Sequence, residues 1–127
     1  MLKPEFETVL RDKISQLDDV VLDQTTLEGH DIFRLNPERY QVDNVNQLNF
    51  AIIKRKSRPL LVDLACDFNL SQNLQTKYES VVPSKIMDEA TWIRIIGSGI
   101  PTESEIIELL HLAYHLTEQA FNLESTL

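Results

Sequence analysis

Apolar residues recur along this chain with two different periods, and each change of period marks a boundary between elements. Phe6, Val9, Leu10, Ile14 and Leu17 return every three or four positions, the spacing of an amphipathic helix. Pro4 suits the first turn, where a missing N–H would be unpaired anyway. The pattern fades near Asp18. Residues 22–27 are ambiguous, with a short strand as one reading, and Glu28-Gly29 punctuates them as a turn. Residues 30–35 read as a strand with Ile32 and Phe33 on opposite faces. Residues 36–46, with Pro37 and three asparagines, read as a loop.

The alternation then becomes regular. In residues 47–55, Leu48, Phe50 and Ile52 fall on one face and Asn49, Ala51 and Ile53 on the other. Leu60, Val62, Leu64 and Cys66 continue it after the short connection Lys56-Ser57-Arg58, which predicts a β-hairpin. Pro59 stands at the start of its strand, where a missing donor is tolerated. Asn69 or Ser71 is a candidate cap for a short helix through Tyr78, with Leu70, Leu74 and Tyr78 one turn apart. Residues 81–87 read as an extended loop around Pro83, and Asp88 as the cap of a single turn that delivers Trp92 into a strand ending at Ile96. Gly97, Gly99 and Pro101 force a turn. Thr102 and Glu105 form a capping box. Behind it, Ile106, Ile107, Leu109, Leu110, Ala113, Tyr114, Leu116, Ala120 and Phe121 give a long helix an apolar face wider than one stripe. Such a helix packs on a sheet, or contacts a partner as well. Hairpin-linked strands with segregated helices predict an α+β fold, a two-layer sandwich with an antiparallel sheet, in one domain over residues 1–127.

Composition adds exclusions. The chain has 127 residues, 43% apolar and 25% charged, ordinary values for a globular protein. Its net charge of −8 disfavours general attraction to phosphate backbones or anionic membranes. The one cysteine, Cys66, has no intramolecular disulfide partner. The start lacks the basic and apolar regions of a signal peptide, and no apolar run reaches membrane-spanning length. A cytoplasmic protein without a membrane segment is expected.

The stretch Arg58-Pro59, the strand end Leu64-Ala65-Cys66-Asp67, and then Pro83-Ser84-Lys85, Met87, Trp92, Gly97, Pro101 and Tyr114 resemble the MmcQ/YjbR-like family. The likeness covers roughly residues 47–120, and its structural motif is Pro83, Trp92, Gly97, Pro101 and Tyr114. The resemblance implies an α+β sandwich with a layout similar to type III secretion chaperones. It carries a prediction of DNA binding through a double-wing motif and implies no catalytic residues and no cofactor. Ile86, Asp88 and Glu89 stand where relatives often carry histidine, asparagine and lysine, so this loop is less basic than the family pattern.

The candidate chemistry is sparse. Lys54, Arg55, Lys56 and Arg58 put four cations in five residues at a predicted hairpin tip, and Lys85 is expected to join them from a neighbouring loop, with Lys77 and Arg94 as further contributors. They read as a wing laid on phosphates, or as a solvated tip whose charge blocks edge pairing. His111 and His115 are one turn apart, with Glu108 three residues before His111, yet no second such step exists to complete a metal site. Cys66 reads as an inert buried thiol. Ser98, between Gly97 and Gly99, lacks a nucleophile-elbow context. Trp92 reads as a core anchor, expected against the last helix near Leu110 or Tyr114. No metal and no catalytic group is expected. Two functions remain: a binding module with weak DNA affinity, or an acidic protein-interaction or chaperone-like module using the apolar face of the last helix.

Overall fold

The computed structural model describes residues 2–125, the side chains of residues 122–125 excepted. Its elements are α1 (Phe6–Ser15), β1 (Val20–Asp23), β2 (His30–Leu35), a single 3-10 turn (Val45–Leu48), β3 (Asn49–Lys54), β4 (Leu61–Ala65), α2 (Phe68–Lys77), β5 (Val81–Pro83), β6 (Trp92–Ile96) and α3 (Glu103–Ser125). The six strands form one antiparallel sheet in the order β1-β2-β3-β4-β6-β5. This is the α+β sandwich that the alternating periods predict.

Three local readings shift. The ambiguous strand is real but earlier, at Val20–Asp23. The loop around Pro83 contains β5, which pairs Val81 with Ile95 and Pro83 with Ile93. Pro83 is tolerated there because β5 is an edge strand. The cap of α2 is Asp67, whose carboxylate accepts from the Leu70 N–H at 2.7 Å, rather than Asn69 or Ser71. The capping box of α3 forms reciprocally. The Glu105 N–H donates to Thr102 Oγ1 at 3.3 Å, and the Thr102 N–H donates to Glu105 Oε1 at 3.1 Å.

The helices cover one face of the sheet. Phe6, Leu10 and Ile14 of α1, Leu74 of α2, and Ile106, Leu110, Ala113 and Tyr114 of α3 share a cluster with Phe33, Ala51, Ile53, Val62, Leu64, Ile93 and Ile95. The α3 helix packs on β3 and β4. Phe50 joins this cluster too, and meets the Tyr114 ring edge-on at 5.4 Å between centroids. Simple alternation puts Phe50 with Ile52, but the pairing jumps from Phe33↔Ala51 to Arg34↔Asn49. Phe50 is the extra residue of a β-bulge. It turns inward beside Ala51, while Asn49 and Ile52 face the other way.

That other face carries a second, smaller cluster. Ile32 pairs with Ile52 across β2 and β3, and both pack with Trp92 under Leu27, Ala65, Ile86 and Met87. Trp92 is buried, at 6% exposure, but not against α3. Along β6 its neighbour Ile93 points to the helices, so Trp92 points away from them. The expected contact with Leu110 or Tyr114 is corrected: loops cover this tryptophan, not the last helix.

Candidate functional site

Asp31 sits where β2 passes under α1, with its side chain 1% exposed. Its carboxylate accepts from Arg11 of α1, from Arg55 at the end of β3 and from Gln24. Arg55 also donates to the His30 carbonyl at 3.2 Å. Burial pushes the Asp31 carboxyl up, but the hydrogen bonds from Arg11, Arg55 and Gln24 outweigh it and hold it below the usual carboxylate value. Arg55 is therefore a structural cation, tied inward to a buried acid.

Lys54, Lys56 and Arg58 are exposed at the hairpin tip, and Lys85 is exposed in the loop after β5. These groups do not converge. Strand pairing sets Lys54 level with Leu61, at the tip end of β4, and Pro83 level with Leu64. Three residues along the strand and three strand spacings across separate them, on the order of 20 Å. Lys85 lies two residues further on, so it is not the hairpin's neighbour. Lys77 lies over the Tyr78 ring at 5.1 Å. Arg94 donates to Asp63 Oδ1 at 2.9 Å, and Asp63 is buried.

The Asp63 pair also explains the motif residues. The Ser84 hydroxyl donates to Asp63 Oδ2 at 2.6 Å and accepts from the N–H groups of Met87 at 3.1 Å and Ile86 at 3.2 Å. This clamps the loop so that Ile86 and Met87 cap Trp92. Tyr114 donates to the Asp18 carbonyl at 2.7 Å and so ties α3 to the end of α1. Burial, with nearby acids, pushes its hydroxyl up to about 12. Pro101 is buried at the entry to α3. Gly97 donates to the Leu60 carbonyl at 2.8 Å, and a Cβ there would lie 3.1 Å from Leu60 Cβ and 3.2 Å from that carbonyl oxygen. Gly97→Ala is expected to cost about 1–3 kcal/mol through overpacking; urea denaturation measures it, and an unchanged midpoint would contradict the close approach. Trp92, Gly97, Pro101 and Tyr114 thus have packing roles, while Pro83 is exposed on its edge strand.

The remaining singled-out groups are dispersed. His115 approaches Glu118 at 3.9 Å. Among the described residues, no group of three histidine, cysteine, aspartate or glutamate side chains is placed to hold a metal ion. Cys66 is buried, and that burial, with Asp67 beside it, pushes its thiol up to about 11. It stays protonated and unreactive at neutral pH. The Ser98 hydroxyl donates within its own loop, to the Ile100 carbonyl. Among the described residues no helix is long and apolar enough to cross a membrane.

Two of the concave surfaces combine apolar side chains of α3 with polar groups. Leu70 and Leu74 of α2 line a groove of about 250 Å³ with Leu109 and Leu112 of α3, and Glu105 and Glu108 border it. A cleft of about 460 Å³ opens at the end of the sheet, between the 3-10 turn, the loop before β6 and the second half of α3. The cleft was not legible in the sequence because its polar residues come from several elements: Asn44 and Asn46 from a predicted loop, Gln47 and Asn49 from a predicted strand, Asp88 from a predicted turn and Thr117 from the last helix. The signal available was the density of asparagines before β3.

No family description and no curated protein sequence matches the chain. Solved structures do match its fold. A Deinococcus radiodurans protein, DR2400, described as a DUF419 domain, superposes with a TM-score of 0.74 at 17% identity, over 87% of this chain and 76% of that one. A Pseudomonas syringae protein superposes with a TM-score of 0.64 at 20% identity, over 87% of this chain and 97% of that one. At these identities the likeness is one of fold.

Proposed function

We propose that this chain is a non-catalytic protein-interaction module that docks an amphipathic, basic-flanked helix of a partner along the open flank of α3. The observation that carries this reading is the row Leu109, Leu112, Leu116 and Ala120. These residues follow one another at steps of three and four, so they share one flank of the helix. They keep accessible surface after Ile106, Leu110, Ala113 and Thr117 have filled the sheet-facing side. A flank that only met water would carry polar residues there. Leu70 and Leu74 extend the row into a groove, the shape that receives a helix through spaced apolar anchors.

Charge supports the choice of partner. The net charge is −8, and Glu105 and Glu108 outnumber Lys77 along the groove, so a helix flanked by lysine or arginine is steered toward it. The same charge opposes nucleic acid. Of the five cations expected to form a wing, Arg55 is bound to Asp31 and Lys85 stands far from the tip. Lys54, Lys56 and Arg58 remain, too few for more than weak, salt-sensitive phosphate contact.

The test uses a labelled 18-residue leucine–lysine helical peptide, a leucine–glutamate peptide of the same pattern, and a DNA duplex. The basic peptide is expected to bind and the acidic one not to. The double variant Leu112→Gln with Leu116→Gln is expected to weaken binding roughly tenfold or more while leaving the melting temperature nearly unchanged. Binding indifferent to the double substitution would overturn the reading. Tight duplex binding lost on changing Lys54, Lys56 and Arg58 to alanine would move the function to the hairpin.

A further inference from the structure

The cleft at the end of the sheet has an ordered polar rim. Arg34 Nε only donates, and it meets Asn49 at 2.9 Å, so the acceptor is Asn49 Oδ1. That orientation turns Asn49 Nδ2 toward Asn46, at 3.3 Å, so the atom it meets is Asn46 Oδ1. The backbone N–H of Asn46 donates in turn to Asn44 Oδ1 at 2.9 Å. Both acceptor oxygens are therefore engaged inside the protein. The Nδ2 groups of Asn44 and Asn46 have no acceptor among the described residues. On the opposite wall, Asp88 Oδ1 is occupied by the Ala90 N–H at 2.9 Å, while Oδ2 has no partner there.

The cleft thus presents N–H donors on one side and a carboxylate acceptor on the other, over a floor that includes Met87, Trp92, Leu116 and Ala120. A sugar would satisfy the rim, but its C–H face needs an open aromatic ring to stack on, and Trp92 is only 6% exposed. A lipid chain would satisfy the floor but leave the rim unmatched. An extended peptide supplies both, with carbonyls for the amide donors, an N–H for Asp88 and an apolar side chain for the floor. We infer that this cleft binds the main chain of an extended, uncharged peptide segment bearing an apolar side chain. The cleft shares Leu116 and Ala120 with the helix-docking row, but its rim of Asn44, Asn46 and Asp88 lies outside that row, so the inference does not depend on that reading.

The probe is the capped tripeptide acetyl-glycyl-leucyl-glycinamide. Trp92 is the only tryptophan and lines the cleft, so its emission reports occupancy directly, with calorimetry as the second readout. Asn44→Asp and Asn46→Asp each keep the oxygen that holds the local fold and replace the outward donors by an acceptor. Each is expected to weaken binding about fivefold or more, the loss of one hydrogen bond set against a carbonyl, with thermal unfolding little changed. Methylation of the peptide's main-chain nitrogens is expected to weaken binding to a similar degree, and Leu112→Gln is expected to have no effect. Absence of binding at millimolar peptide overturns the inference. So does binding that Asn44→Asp, Asn46→Asp and peptide methylation all leave unchanged.

Discussion

Trp92→Ala is expected to lower the unfolding free energy by about 3–5 kcal/mol. The indole is 6% exposed and packs on Ile32 and Ile52. Its removal leaves a cavity on a face with no helix to collapse into it. Leu27, Ala65, Ile86 and Met87 pack around it, and Ile86 and Met87 are held by Ser84 on Asp63. The damage should therefore spread to the loop before β6 and not to α3. Urea denaturation followed by far-ultraviolet circular dichroism gives the energy, and limited proteolysis gives the place. The expected result is a large loss with new cleavage within residues 84–91. A loss under about 1 kcal/mol, or loosening confined to α3, would contradict the position of Trp92.

Asp31→Ala is expected to cost about 2–4 kcal/mol. Removing one partner of a buried ion pair strands the others without compensation. The figure falls toward the lower end because Arg11 and Arg55 are 28% and 34% exposed and reach water. The dependence on pH has a definite sign. The folded carboxyl lies below its unfolded value of about 3.9, despite the upward push of burial, because Arg11, Arg55 and Gln24 bond to the ionised form. Its contribution is present above that unfolded value and is lost as pH falls through the folded one. Asp23 is also held far down, chiefly by the Thr26 hydroxyl and then by the Thr25 and Thr26 N–H groups, so the whole protein loses stability in acid for more than one reason. The difference between the native chain and Asp31→Asn isolates Asp31. That difference should be full at pH 6 and should shrink below pH 4. A difference that grows on acidification would contradict the network.

The periods made most of the fold legible. The α1 helix, the β3–β4 hairpin, the capping box and the last helix all follow from spacing and end chemistry. The edge strands β1 and β5 were harder, because four and three residues carry too little alternation to be separated from loops. The bulge at Phe50 was invisible, since an inserted residue leaves the apolar content of β3 unchanged and alters only which face each side chain meets. The side taken by Trp92 was readable. It alternates with Ile93 and Ile95 and shares its face with Arg94, so the isoleucines mark the helix side. The spacing of the five candidate cations in space was not legible either. A run of cations in sequence does not reveal a buried acid such as Asp31 that binds one of them, nor the sheet width that separates Lys85 from the rest. The row on α3 was present in the periodicity as an apolar face too wide for one partner, but only the packed sheet distinguishes the filled side from the open one.

The central claim, that α3 and not the hairpin is the interaction surface, is tested most directly by mapping the backbone amide resonances of the isotope-labelled protein. The leucine–lysine helix is titrated in one series and a DNA duplex at physiological ionic strength in another. The peptide is expected to shift a continuous track through Leu109, Leu112, Leu116 and Ala120 with Leu70 and Leu74, and the duplex to leave Lys54, Lys56, Arg58 and Lys85 in place. Duplex-induced shifts at those four cations, with α3 silent toward the peptide, would contradict it.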